Sequence, residues 1–264
     1  MLERFVPTNP GSVIKHCMPC NPLTFQKLST ATTDEARDKA ARLPYLQLVG
    51  SLQYLTMTRP DISYHMSILC SYMHDPSPAC YYAAIDLLLY VKYSKHLTLH
   101  FTGSMQPPSS IDFKLHSSIS TCGGLVAFSD ASWRNPDKLG YNMFGYVVYF
   151  MGAPVSFAAK RLKVVAMSSA EAEYAAAAYA CKEIVFVRNV LSDLGFRITG
   201  PTVLAVDNQA AIKIAENVGV TARNKHFGDA IHYFRHVVEH RVVVPTFVRT
   251  DVQRADGFTK ALGK

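Results

Sequence analysis

The sequence predicts a mixed α/β fold: a five-stranded mixed sheet with helices on both faces, preceded by a mainly helical first part. Three observations carry this. Past residue 124, three apolar runs follow one another across short turns, which is how a meander of strands reads. Helical and strand-like segments then alternate to the end, as in sheets covered by helices. Before residue 102, apolar residues recur every three or four positions, the period of amphipathic helices.

Residues 6–43 are rich in Pro, Thr and Ser and read as an extended linker that ends in a short polar helix at "TDEARDKAAR". "PYLQLVGSLQYLTMT", "RPDISYHMSILCSYMHD" and "SPACYYAAIDLLLYVKYS" each predict a helix. Pro60 stands at the N-terminal end of the second, where a missing N–H costs nothing. "HLTLHF" alternates and predicts a strand. Residues 102–124 are dense in Gly, Ser and Pro and form the best domain boundary. "LVAFSDASW", "FGYVVYFMG" and "PVSFAAK" predict three strands, the last two joined by a tight Gly-Ala-Pro turn. The alanine-rich run "AMSSAEAEYAAAAYA" opens a helix reaching about Leu194, with Gly195 as its stop. "TVLAVD" is a fourth strand and "NQAAIKIAEN" a short helix. "NKHFGDAIHYFRHVVEH" is a further helix, "RVVVPTFVR" a fifth strand and "VQRADGFTKAL" a closing helix.

The 264 residues are 49% hydrophobic, enough for a substantial core, and global disorder is excluded. Apolar stretches stay short of the roughly 20 residues a membrane span needs, and no signal-peptide pattern opens the chain. The expectation is an intracellular protein with no membrane partner. A net charge of +7 favours a polyanionic partner. Cys17 and Cys20 form one C-x-x-C behind His16, but zinc wants a second pair at such spacing. Cys70, Cys80, Cys122 and Cys181 are scattered, so free thiols are expected.

Four carboxylates stand out by position. Ser168 and Glu171 have capping-box spacing, which assigns Glu171 a structural task. Glu173 lies about 200° around the helix from it. It shares a line with Ala176, Ala180, Ile184, Val187 and Leu191, the core stripe. An inward ionised carboxylate needs a cation. Asp130 and Asp207 each end a strand, where ligands bind in sheets of this kind. Each alone also reads as a turn or cap aspartate. Asp256 in "QRADGFTK" reads as a solvated or first-turn charge. Taken together, the four suggest one oxygen-only site for Mg2+ or Mn2+. Two such ions a few ångströms apart suit phosphodiester hydrolysis.

The chain resembles the C-terminal part of the Pol polyprotein of copia-type LTR retrotransposons. The matching stretches are "LPYLQLVGSLQYLTMTRPDISY", "FSDASW", "GYVVYFMGAPVSFAAKR", "SSAEAEYAA", "VDNQAAIKIAEN", "NKHFGDAIHYFR" and "DVQRADGFTKAL", in family order. The resemblance implies a ribonuclease H-like domain over residues 125–264, behind a linker at 102–124. Residues 1–101 are then a C-terminal remnant of reverse transcriptase, with helices like its thumb and connection. It further implies hydrolysis of the RNA strand of an RNA–DNA hybrid, with two Mg2+ or Mn2+ ions. Asp130, Glu173, Asp207 and Asp256 match the four catalytic, metal-binding carboxylates. Asp130 and Asp207 would serve both ions, Glu173 one and Asp256 the other. The implied partners are the hybrid and the remaining reverse transcriptase. The implied location is a cytoplasmic virus-like particle, or else the nucleus.

The pattern departs from the family in two places. Where the family has an aspartate after K-H-I, this chain has Gly228, with Asp229 one place later. His226 survives and, by analogy, assists product release or proton transfer; its plainer reading is a surface histidine. No Y/F-x-D-D polymerase motif is present, so the chain is not expected to polymerise DNA. It reads as a fragment or remnant beginning abruptly at Met1. Expected nucleic-acid contacts are Lys160, Arg161, Lys163, Asn208, Gln209, Arg223 and Lys225, although any single Lys or Arg is more simply a solvated charge. Trp133 and Tyr174 flank the acids and either stack on the substrate or pack in the core. Two other readings compete. One is an inactive remnant that binds nucleic acid without cutting it. The other is an Asp-Asp-Glu strand-transfer enzyme, disfavoured because here the glutamate precedes the second aspartate.

Overall fold

The computed structural model describes residues 19, 25, 28–101, 103, 124–133, 142–162, 166–216 and 228–261. They fall into two compact units, one of the residues up to Leu99 together with Ala261 and one of those from His100 to Lys260.

The first unit is helical. Its helices are α1 (Asp34–Ala41), α2 (Tyr45–Leu55), α3 (Ser63–Ser71) and α4 (Pro78–Tyr93). Thr33 caps α1, its hydroxyl accepting from the Ala36 N–H at 3.2 Å. A 3-10 turn, Pro60–Ile62, leads into α3, and Pro78 stands in the first turn of α4. Leu48, Leu52, Ile62, Met66, Leu69, Leu87 and Leu88 fill the space between the helices. Arg59 is 7% exposed and grips both oxygens of Asp61 at 2.9 and 2.7 Å. It also donates to the Ser94 carbonyl and hydroxyl, while Tyr90 donates to Asp61 at 2.8 Å. A buried guanidinium is tolerated only with such full pairing. The "RPD" turn is thereby pinned to the end of α4.

The strand expected at "HLTLHF" does not form; residues 97–101 have no regular structure. Alternation marks a strand only where a neighbour offers hydrogen bonds, and none of the described strands pairs there.

The second unit is the five-stranded sheet: β1 (Leu125–Ala131), β2 (Met143–Phe150), β3 (Ala153–Arg161), β4 (Thr202–Val206) and β5 (Val243–Phe247). The order is β3-β2-β1-β4-β5. The first three strands form an antiparallel meander; β4 and β5 run parallel to β1. The β2–β3 turn is Met151-Gly152, not Gly-Ala-Pro. Both residues have positive φ, 50° and 78°, as a type I′ hairpin turn requires. Ala153 and Pro154 already belong to β3, an edge strand where a proline is accommodated.

One face of the sheet carries α5 (Ser169–Asp193), α6 (Gln209–Glu216) and α7 (Gly228–Glu239). The stop of α5 is as expected: Gly195, at φ 85°, lets Phe196 N–H reach back to the Leu191 carbonyl at 2.8 Å. The other face is covered by Val248, Val252, Ala255 and Phe258. The closing α-helix expected there is instead two 3-10 turns, Thr250–Val252 and Asp256–Phe258. Gln253 breaks the run: its backbone is extended, at ψ 108°, and its side chain bonds to the Ser129 carbonyl at 2.9 Å and the Ala255 N–H at 3.1 Å. The linker at 102–124 lies, but for Gly103 and Gly124, outside the described residues.

Candidate metal centre

The site is assembled by four separate pieces of backbone. Asp130 is near the end of β1, and Asp207 directly follows β4, the parallel neighbour of β1. Two adjacent strands therefore deliver two carboxylates to one end of the sheet. Glu173 comes from the first turns of α5, which crosses the sheet there. Ser168 caps that helix, accepting from Glu171 N–H at 3.3 Å. Glu171 accepts from the Met167 N–H, so it has the capping task that its spacing predicts. Glu173 points inward and is 5% exposed.

Asp256 arrives on the second 3-10 turn. That turn lies against β2 at Gly145, the register partner of Asp130. A Cβ on Gly145 would stand 2.3 Å from the Phe258 Cβ, so only glycine permits the approach. The absence of a side chain on β2 thus allows Asp256 and Thr259 to lie beside β1.

One oxygen each from Asp130, Glu173 and Asp207 lie within 4.8 Å of one another. Asp130 is 5% exposed and Asp207 half-buried. Burial raises the Asp130 carboxyl, and the charges of Asp256 and Asp207 add to it against a hydrogen bond from Thr259. Glu173 is pushed well above the usual carboxylate range by burial, then by the Asp130 and Asp207 charges, against one hydrogen bond from the Ala131 N–H at 3.1 Å. Asp207 is raised by burial and by Asp256, with Thr250 opposing. Lys260 bonds Asp256 Oδ2 at 2.6 Å. Burial works against its charge, but Asp256, Asp130 and Asp207 outweigh this and hold the ammonium above its ordinary value.

A divalent cation fits these residues. Among the described residues, Glu173 Oε2 and Asp256 Oδ1 are buried without a hydrogen-bond partner. Such atoms are costly unless something positive meets them. The donor set is carboxylate oxygen only, which suits a hard ion.

The remaining predicted residues divide. Asn208 caps α6, its Oδ1 accepting from Ala210 and Ala211 N–H at 3.0 and 3.2 Å. Gln209 and Lys160 are exposed and Arg161 half-buried. Tyr174 is fully buried, 5.0 Å from the Phe234 ring, and packs rather than stacks on a ligand. Trp133 is half-buried and donates to the Ala166 carbonyl at 3.4 Å. His226, Lys163, Arg223, Lys225, Cys17 and Cys20 lie outside the described residues, as does the side chain of Asp229. Cys70, Cys80 and Cys181 are free thiols. Among the described residues, no helix is long and apolar enough to cross a membrane. Sequence reasoning missed Thr250, Thr259 and Lys260; for the last two the available signal was a hydroxyl and a cation three and four residues after Asp256 in "DGFTK".

No family model matches the chain. It is 34% identical over 221 residues, 83% of its length, to the retrovirus-related Pol polyprotein from transposon RE1 of Arabidopsis thaliana. It is 29% identical over 241 residues, 91% of its length, to that from transposon TNT 1-94 of Nicotiana tabacum. It covers only 14% and 17% of the length of these relatives. Among solved structures, LC11-RNase H1 in complex with an RNA/DNA hybrid is similar at 15% identity and a TM-score of 0.39, over 51% of this chain and 92% of that one.

Proposed function

From the premise that the chain belongs to the Pol polyproteins of copia-type LTR retrotransposons, we propose that its sheet unit is a ribonuclease H. It hydrolyses the RNA strand of RNA–DNA hybrids and depends on divalent metal. The carrying observation is the convergence of Asp130, Glu173 and Asp207, with buried carboxylate oxygens on Glu173 and Asp256 that have no hydrogen-bond partner among the described residues.

Asp130, Glu173, Asp207 and Asp256 would hold two Mg2+ or Mn2+ ions, with Asp130 and Asp207 serving both, Glu173 one and Asp256 the other. Bound there, such ions would supply an activated water and charge stabilisation for the departing 3′-oxygen. The protein's part is to fix the four carboxylates and keep bulk water from Asp130 and Glu173. Lys160, Arg161 and Gln209 meet the hybrid's backbone, with Lys163, Arg223 and Lys225 as further contacts. Recognition rests on the shape of the hybrid and its 2′-hydroxyls rather than on sequence. His226 assists proton transfer or product release. The hybrid itself is made by the remaining reverse transcriptase of the polyprotein.

The test is incubation of the full chain with a hybrid labelled on either strand, in Mg2+, Mn2+ or EDTA. RNA-strand cleavage in either metal and none in EDTA is expected. Hybrid binding without cleavage in both metals would sink the proposal in favour of a non-enzymatic remnant.

A further inference from the structure

The carboxylates of the site are not held by the sheet alone. Glu173 has one oxygen on the Ala131 N–H. The three aspartates are each held by a side chain from one short stretch, residues 250–260. Thr259 donates to Asp130 Oδ2, Thr250 donates to Asp207 Oδ2 at 3.2 Å, and Lys260 bonds Asp256 Oδ2 at 2.6 Å. Thr259 is 2% exposed, and its hydroxyl also lies 3.1 Å from the Asp256 carbonyl. It thus links the strand that carries Asp130 to the turn that carries Asp256.

We propose that Thr259, and to a lesser degree Thr250, are positioning residues for the metal centre, orienting Asp130 and Asp207 for cation binding. The inference rests on the metal-centre reading above. A hydroxyl suits this task because it fixes a carboxylate without cancelling its charge. An ammonium in the same place would orient the group and weaken its hold on a cation. Lys260 makes its hydrogen bond to Asp256, whose other oxygen is buried with no partner among the described residues. Donors of this kind behind metal ligands typically set affinity by about 10- to 100-fold. Thr250 is exposed and its bond longer, so its share is the smaller.

The test titrates Mn2+ by calorimetry into the full-length wild type and the variants Thr259→Val, Thr259→Ser, Thr250→Val and Asp130→Asn. Thermal unfolding in EDTA checks that each is folded. The expected result is Mn2+ affinity at least about tenfold weaker in Thr259→Val, near wild type in Thr259→Ser, and reduced severalfold in Thr250→Val. In a cleavage assay, Thr259→Val should need more Mn2+ for half-maximal rate and recover most of kcat at saturation. If Asp130→Asn loses Mn2+ but both valine variants keep wild-type affinity, the positioning role is wrong and the metal centre stands. If Asp130→Asn binds as wild type does, the metal centre falls and the inference with it. Should Thr259→Val not fold, Thr250→Val at its exposed position decides alone: unchanged Mn2+ affinity there overturns the proposal.

Discussion

Glu171 and Glu173 are two residues apart and do unrelated things. One caps a helix; the other is buried against two aspartates. Burial and like charge raise the Asp130, Glu173 and Asp207 carboxyls. A raised folded pKa means that the folded state binds more protons than the unfolded state above about pH 4. These groups therefore stabilise the metal-free protein at low pH, and that stability is lost as pH rises through their folded values. Glu173→Gln removes the ionisable group and keeps the shape. It should raise the unfolding midpoint in EDTA at pH 8 and abolish the midpoint shift caused by Mn2+. In the wild type the Mn2+ shift should be larger at pH 8 than at pH 5, because protons compete for the same oxygens; an equal shift at both would contradict the assignment. Helical periodicity made Glu173 legible in the sequence. The donors behind the aspartates were not, because Thr250 and Thr259 reach them over 43 and 129 residues of chain.

At the scale of elements, the site depends on how closely the closing turns approach β2. Gly145→Ala puts a methyl group where Phe258 stands. Overpacking of this kind costs about 1–3 kcal/mol, and here the displaced turn carries Asp256 and Thr259. The variant should unfold at a lower temperature and cleave hybrid at least tenfold more slowly. Wild-type cleavage would show that the approach does not matter. The meander and α5 could be read from period and caps alone. The closing segment could not. "VQRADGFTKAL" has helical composition, but Gln253 spends its side chain on Ser129 and Ala255, and tertiary bonding overrides the local preference. "HLTLHF" fails for the opposite reason, alternation without a partner strand.

At the scale of the whole molecule, the two units answer to pH in different ways. In the helical unit both ring nitrogens of His65 are buried without a hydrogen-bond partner among the described residues, edge-on to Phe25 and Tyr64. Desolvation lowers this imidazole to about 4, against a small opposing pull from Asp61. A lowered folded pKa means that the unfolded state binds more protons between pH 6.5 and about 4. Stability of this unit should fall as pH drops through that window, by on the order of 3 kcal/mol in all. Hydrogen exchange should show α3 and α4 losing protection at pH 4.5 relative to pH 7, and His65→Leu should flatten the loss. Persistence of the full loss in that variant would assign it elsewhere.

The sheet unit carries the central claim, that its acidic cluster is a metal centre cutting RNA paired with DNA. The most direct measurement is the rate of RNA-strand cleavage in a labelled hybrid at saturating Mg2+, for the full chain and for its Asp130→Asn variant. The wild type should cleave, and a variant that still folds should lose at least about a thousandfold (about 4 kcal/mol). Equal rates in the two proteins, or cleavage that persists in EDTA, would contradict the claim.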